Sequence, residues 1–97
     1  MLTGKQKRYL RSLGNEMEPI LFVGKEEITE NVIKQANNAL EARELIKGRV
    51  LQNCADVPQN IAMELAGAAK AELVQVIGRN FLLYRMSEEK TRIILPE

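Results

Sequence analysis

Apolar residues recur along the chain at intervals that change from element to element. In the first segment they fall at Leu2, Tyr9, Leu10 and Leu13, with Lys5, Lys7, Arg8 and Arg11 filling the rest of the wheel. This is the spacing of an amphipathic helix with one basic side. Gly14 and Asn15 offer a stop, and Pro19 opposes continuation before the apolar run Ile20 to Val23, which predicts a short buried strand ended by Gly24. Thr29 fits an N-cap for a helix with inner face Val32, Ile33, Ala36, Ala39 and Leu40, and Ile28 is placed to staple its start. Residues 45–51 read as a second strand: Ile46, Gly48 and Val50 suit a core, and the alternate set includes Lys47 and Arg49. Asp56 as cap and Pro58 as an early helical residue precede a third helix carrying Ile61, Ala62, Leu65, Ala68 and Ala69. Leu73 to Ile77 and Phe81 to Tyr84 predict two strands joined by a hairpin at Gly78, Arg79 and Asn80. Ile93 to Leu95 form either a further short strand or an extended end.

The predicted order is helix, strand, helix, strand, helix, strand, strand. Strand-helix-strand units imply parallel pairing, and the closing hairpin makes the sheet mixed. The pattern predicts one domain over residues 1–97, a two-layer α/β unit with a four-stranded mixed sheet. All three helices are expected on one face. Lys47 and Arg49 leave the other face partly open.

Composition narrows the chemistry. The chain has 97 residues, 45% hydrophobic and 28% charged, in keeping with one folded core. No apolar run approaches the ~20 residues that span a bilayer, and no N-terminal stretch resembles a signal peptide, so a cytoplasmic protein without membrane contact is expected. Cys54 is the sole cysteine and histidine is absent. These counts exclude a disulfide within the chain and leave no nitrogen and sulfur ligand set for a metal. They also remove the Ser/His and Cys/His nucleophile arrangements. Carboxylate or lysine chemistry stays formally open, but acids at a solvent-facing helix start serve more often as dipole partners than as catalysts. No enzyme activity, catalytic residue, cofactor or small-molecule substrate is expected. The net charge is only +1 and is segregated: residues 1–15 carry four cations and no acid, whereas residues 16–30 carry five glutamates against Lys25.

The stretches Lys5-Gln6-Lys7 with Leu10 and Leu13, Phe22-Val23-Gly24 followed by Ile28-Thr29, Glu44 to Lys47, and Val76 to Arg79 leading to Leu83-Tyr84-Arg85 together resemble the YhbY family. That family is the stand-alone bacterial form of the CRM (chloroplast RNA splicing and ribosome maturation) domain. The resemblance spans nearly the whole chain. It implies a fold similar to the C-terminal domain of translation initiation factor three, and association with ribosomal RNA or large-subunit precursors. The family usually carries a glycine-x-x-glycine loop between its first strand and second helix, similar to the loop with which KH domains clamp nucleotide backbone. Here the loop reads Gly24-Lys25-Glu26-Glu27, with glutamate in place of the second glycine.

The candidate RNA contacts are therefore Lys5, Lys7, Arg8 and Arg11 on the first helix, Gly24 and Lys25 in the loop, Lys47 and Arg49 on the second strand, and Arg79 and Arg85 around the last one. Each has a plainer reading. The N-terminal cations can be a solvated helix face, Lys47 and Arg49 can guard a sheet edge, and Arg79 and Arg85 can pair with Glu88 or Glu89. Tyr9, Phe22, Phe81 and Tyr84 sit within apolar patterns that predict core packing rather than base stacking, so phosphate and shape recognition is expected. The competing function is a protein-interaction module whose acids Glu26, Glu27 and Glu30 face a basic ribosomal or other protein.

Overall fold

The computed structural model describes residues 2–89 and 91–97. Its elements are α1 (Gly4–Gly14), β1 (Leu21–Val23), α2 (Glu30–Arg43), β2 (Leu45–Val50), α3 (Pro58–Ala69), β3 (Glu72–Ile77) and β4 (Asn80–Tyr84). The strands form one sheet in the order β1-β2-β4-β3. β1 runs parallel to β2, as their connection through α2 requires, and β4 lies antiparallel to both of its neighbours. The α/β class, the three helices and the mixed four-stranded sheet agree with the sequence pattern.

Local chemistry sets the element starts. At α1, Thr3 and Gln6 cap each other's backbone: Gln6 N donates to Thr3 Oγ1 at 3.1 Å and Thr3 N to Gln6 Oε1 at 3.0 Å. Thr29 caps α2, accepting from Val32 N at 3.2 Å. At α3 the cap is Val57, one residue later than expected, with Pro58 in the first turn. The Asp56 carboxylate accepts instead from Val57 N and from the Asn60 amide.

The main core joins Ile46 and Val50 of β2 and Phe81 and Leu83 of β4 to Leu40 of α2 and Ile61 and Leu65 of α3. Gly48 lies opposite Phe81 in the ladder. A Cβ at position 48 would overlap the Phe81 ring, so glycine is needed there for close approach. Gly48→Ala is expected to lower unfolding stability by about 2 kcal/mol through overpacking. Urea unfolding of Gly48→Ala, Phe81→Leu and the double variant checks this: the double variant should lose less than the two single losses combined.

The expectation that all three helices share one face fails. α2 and α3 pack on the main core, whereas Leu10 of α1 packs on the opposite face with Leu45, Val74, Leu82 and Tyr84. The cause lies in β4, whose run Phe81-Leu82-Leu83-Tyr84 is apolar on both sides. Phe81 and Leu83 enter the main core, and Leu82 and Tyr84 need a second cover. A register shift between Leu73 and Gln75 leaves Val74 unpaired and adds its side chain to the α1 side. Gly14 allows the end of α1 to press against Leu82.

Among the described residues, the C-terminal segment adds no strand. Ile93 and Leu95 pack against the Leu10 cluster, and Gln6 Nε2 donates to Pro96 O at 3.1 Å. Glu44 fastens the segment. This residue ends α2 with φ +67°, and its fully buried carboxylate accepts from the backbone N–H groups of Ser87 at 2.7 Å, Arg92 at 2.6 Å and Ile93 at 2.8 Å. Burial alone would push its carboxyl pKa up. The three donors, with the nearby Arg92 charge, outweigh that and hold it below the ordinary value.

Candidate nucleic-acid interface

Side-chain alternation brings Lys47 and Arg49 of β2, Gln75 and Ile77 of β3 and Asn80 of β4 to the α1 side of the sheet. α1 covers only part of that side. The ladder register aligns Phe22, Arg49, Asn80 and Ile77 in one row across all four strands, with Lys47, Leu82 and Gln75 in the next. Arg49 is exposed, Lys47 is half-buried and Ile77 is 64% exposed. Because β2 is an inner strand, its two cations do not guard a sheet edge.

Core packing holds for Phe81 and Tyr84 but not for the other two aromatics: Phe22 is 51% exposed and Tyr9 39%. In β1, Leu21 and Val23 point to the core, and the intervening Phe22 therefore points away from it. The exposure of Phe22 is what the sequence pattern did not reveal. The signal available was period-two spacing, hidden because every residue of Ile20 to Val23 is apolar.

Phe22 opens onto a surface groove bounded by Gly24, Lys25, Glu26, Glu27 and Thr29. The loop closes as a turn in which Glu27 N donates to Gly24 O at 2.9 Å. Glu27 adopts φ +57°, a left-handed conformation better suited to glycine. The loop thus has a glycine-favouring backbone at the position where the resembling family carries its second glycine. Glu27→Gly is expected to raise stability by up to about 1 kcal/mol, by relieving that conformation, while Glu27→Gln stays close to wild type. Chemical denaturation of the two variants decides the matter; destabilisation by glycine would contradict the loop geometry.

On α1, Lys5 and Arg8 are exposed, whereas Lys7 and Arg11 are half-buried beside the helix face that presents Leu10 to the sheet. Arg79 is engaged within the fold: its Nε donates to Val50 O at 2.8 Å and its Nη2 to Leu51 O at 2.8 Å. Those bonds fix the hairpin to the end of β2 that carries Arg49. Arg85 is drawn away from this surface. Its guanidinium donates to the Asn37 side chain at 2.8 Å, to Ala69 O at 2.6 Å and to Asn37 O at 3.2 Å, tying α2 to the end of α3. The structure therefore gathers Gly24, Lys25, Lys47 and Arg49 around the open end of the sheet, with α1 alongside, and removes Arg85 from the set. Glu26 and Glu30 are also exposed next to the loop.

The CRS1 / YhbY (CRM) domain model matches residues 2–85, and the chain belongs to this family. It is 50% identical over 96 residues to the probable RNA-binding protein YqeI of Bacillus subtilis, covering 99% of this chain and 100% of that one. A Haemophilus influenzae RNA-binding protein is 38% identical over 95 residues, covering 98% of this chain and 95% of its own length. The solution structure of the Staphylococcus aureus protein SAV1595 superposes with a TM-score of 0.83 at 54% identity, covering 99% of this chain and 100% of that chain. Among the described residues, no helix is long and apolar enough to cross a membrane.

Proposed function

We propose that this chain is a non-enzymatic, cytoplasmic RNA-binding protein acting as one domain over residues 1–97, with ribosomal RNA or precursors of the large subunit as its target. Membership of the CRM family and the RNA-binding names of its relatives support RNA as the partner. The family resemblance supports the ribosomal target. The observation that carries the reading is the half-exposed Phe22 between the Gly24 to Glu27 loop and Arg49. An aromatic face offers a base a stacking platform, while Lys25, Lys47 and Arg49 supply cations for the flanking phosphates. The α1 cations extend the positive surface, and Arg79 holds the hairpin beside it. RNA held this way needs no cofactor.

Phe22→Ala tests the reading. It is expected to weaken binding of single-stranded RNA by roughly tenfold or more while leaving the salt dependence unchanged, since stacking carries no charge. Fluorescence anisotropy across a salt series measures both quantities. An unchanged affinity in the folded variant would remove the ring from the interface. Glu26 and Glu27 line the same groove and favour a second reading, in which a basic protein docks there. Partners retained from a lysate after nuclease treatment would favour that alternative, and partners lost would favour RNA.

A further inference from the structure

A second, smaller cavity lies on the α1 side of the sheet, where the end of α1 approaches β3 and β4. Its volume is about 120 Å³, and its lining includes Asn15, Lys47, Gln75, Ile77, Asn80 and Leu82. Asn80 Oδ1 is buried and has no hydrogen-bond partner among the described residues. A buried acceptor without a donor is costly in a folded protein, and because the Asn80 side chain lines the cavity, turning its amide towards that space would give the oxygen access to a donor. Around it the cavity combines an apolar surface from Leu82 and Ile77 with the amides of Asn80, Gln75 and Asn15 and the Lys47 ammonium. The volume accommodates several waters, the scale of a planar heteroaromatic ring rather than of a secondary-structure element.

We infer that this cavity receives one nucleobase of a bound single strand, with the Asn80 amide turning towards it so that Oδ1 accepts a hydrogen bond from a base N–H. The inference rests on the RNA-binding reading and adds a base-recognition site to it. An amide pairs naturally with a base edge that presents a donor beside an acceptor, as adenine and cytosine do with their exocyclic amino group and neighbouring ring nitrogen. Leu82 and Ile77 suit the ring faces, and Lys47 can meet the adjoining phosphate. The cavity is also continuous with the surface already described. Asn80 follows Arg49 and Phe22 in the same row of the sheet, and neighbouring strands are about 4.8 Å apart, so the ring of Phe22 and the cavity are within reach of nearby nucleotides of one strand.

The probes are oligoadenylate, oligocytidylate and an abasic ribose-phosphate strand of equal length, titrated by anisotropy into the wild-type chain and Asn80→Leu. The wild type is expected to bind the base-bearing strands at least fivefold more tightly than the abasic strand. Asn80→Leu should lose roughly fivefold on the base-bearing strands, little on the abasic strand, and retain the salt slope. An NMR titration of the wild type provides a readout independent of the variant's folding: the side-chain amide signals of Asn80 and Gln75 should shift with oligoadenylate or oligocytidylate and stay in place with the abasic strand. If the base-bearing strands bind but those amides remain still, the base site is overturned while RNA binding stands. If no strand binds, both fall.

Discussion

Glu44→Ala should lower the unfolding free energy by roughly 3 kcal/mol, because it removes a buried carboxylate and leaves the N–H groups of Ser87, Arg92 and Ile93 without their acceptor. The C-terminal segment would lose its attachment beside α1, so hydrogen exchange of the Arg92 and Ile93 amides should accelerate more than that of β2. Glu44→Gln preserves most of the shape but loses the charge that strengthens these bonds, and should fall between alanine and wild type. The pH dependence follows from the same carboxyl. Its pKa is lower in the folded chain than the ordinary value of 4.5, so its stabilisation is fully present above that value and is lost as pH falls through the folded pKa. Glu41, held low first by the Ser87 hydroxyl and further by backbone donors and Arg85, acts in the same direction. Urea unfolding between neutral pH and acid should show stability declining below about pH 4.5 in the wild type and declining less in Glu44→Gln.

The joint variant Lys25→Ala, Lys47→Ala, Arg49→Ala should lose RNA affinity by roughly a hundredfold near 0.1 M salt. Each phosphate contact to a single strand contributes a log-log salt slope of about −0.7, so removing three should flatten the slope by about 2. Stability should change little, since Lys25 and Arg49 are exposed and Lys47 is only half-buried. The matching replacement of Lys5, Lys7, Arg8 and Arg11 separates the contribution of α1 from that of the sheet. A folded triple variant with an unchanged slope would exclude the sheet end as the phosphate-binding surface.

Features governed by neighbours in sequence are legible in the sequence itself. Thr29 caps α2, Gly48 sits on the core face of β2, and β1, α2 and β2 form a parallel unit. What was hidden depends on contacts distant in sequence or on faces that an all-apolar run cannot distinguish. Phe81 to Tyr84 carries apolar residues on both sides, so periodicity alone could not assign α1 to the second face. The same ambiguity concealed the exposure of Phe22. The roles of Arg79 and Arg85 are set by carbonyls of Val50, Leu51, Asn37 and Ala69, which come within reach only after the sheet and helices assemble. Glu44 belongs to a stretch that carries the family resemblance, but its spacing does not disclose what its carboxylate holds. Its meaning emerges only where the C-terminal backbone folds back over it. Asn80, expected within the hairpin turn, belongs to β4 because the turn needs only Gly78 and Arg79, with Gly78 at φ +59°.

The most direct test of RNA recognition at the open sheet end is an amide NMR titration with single-stranded RNA, repeated at low and high salt. Phe22, Gly24, Lys25 and Arg49 are expected to shift together at low salt, with added salt reversing the effect. Shifts confined to α3, or RNA binding that leaves these four amides unmoved, would contradict recognition at that end.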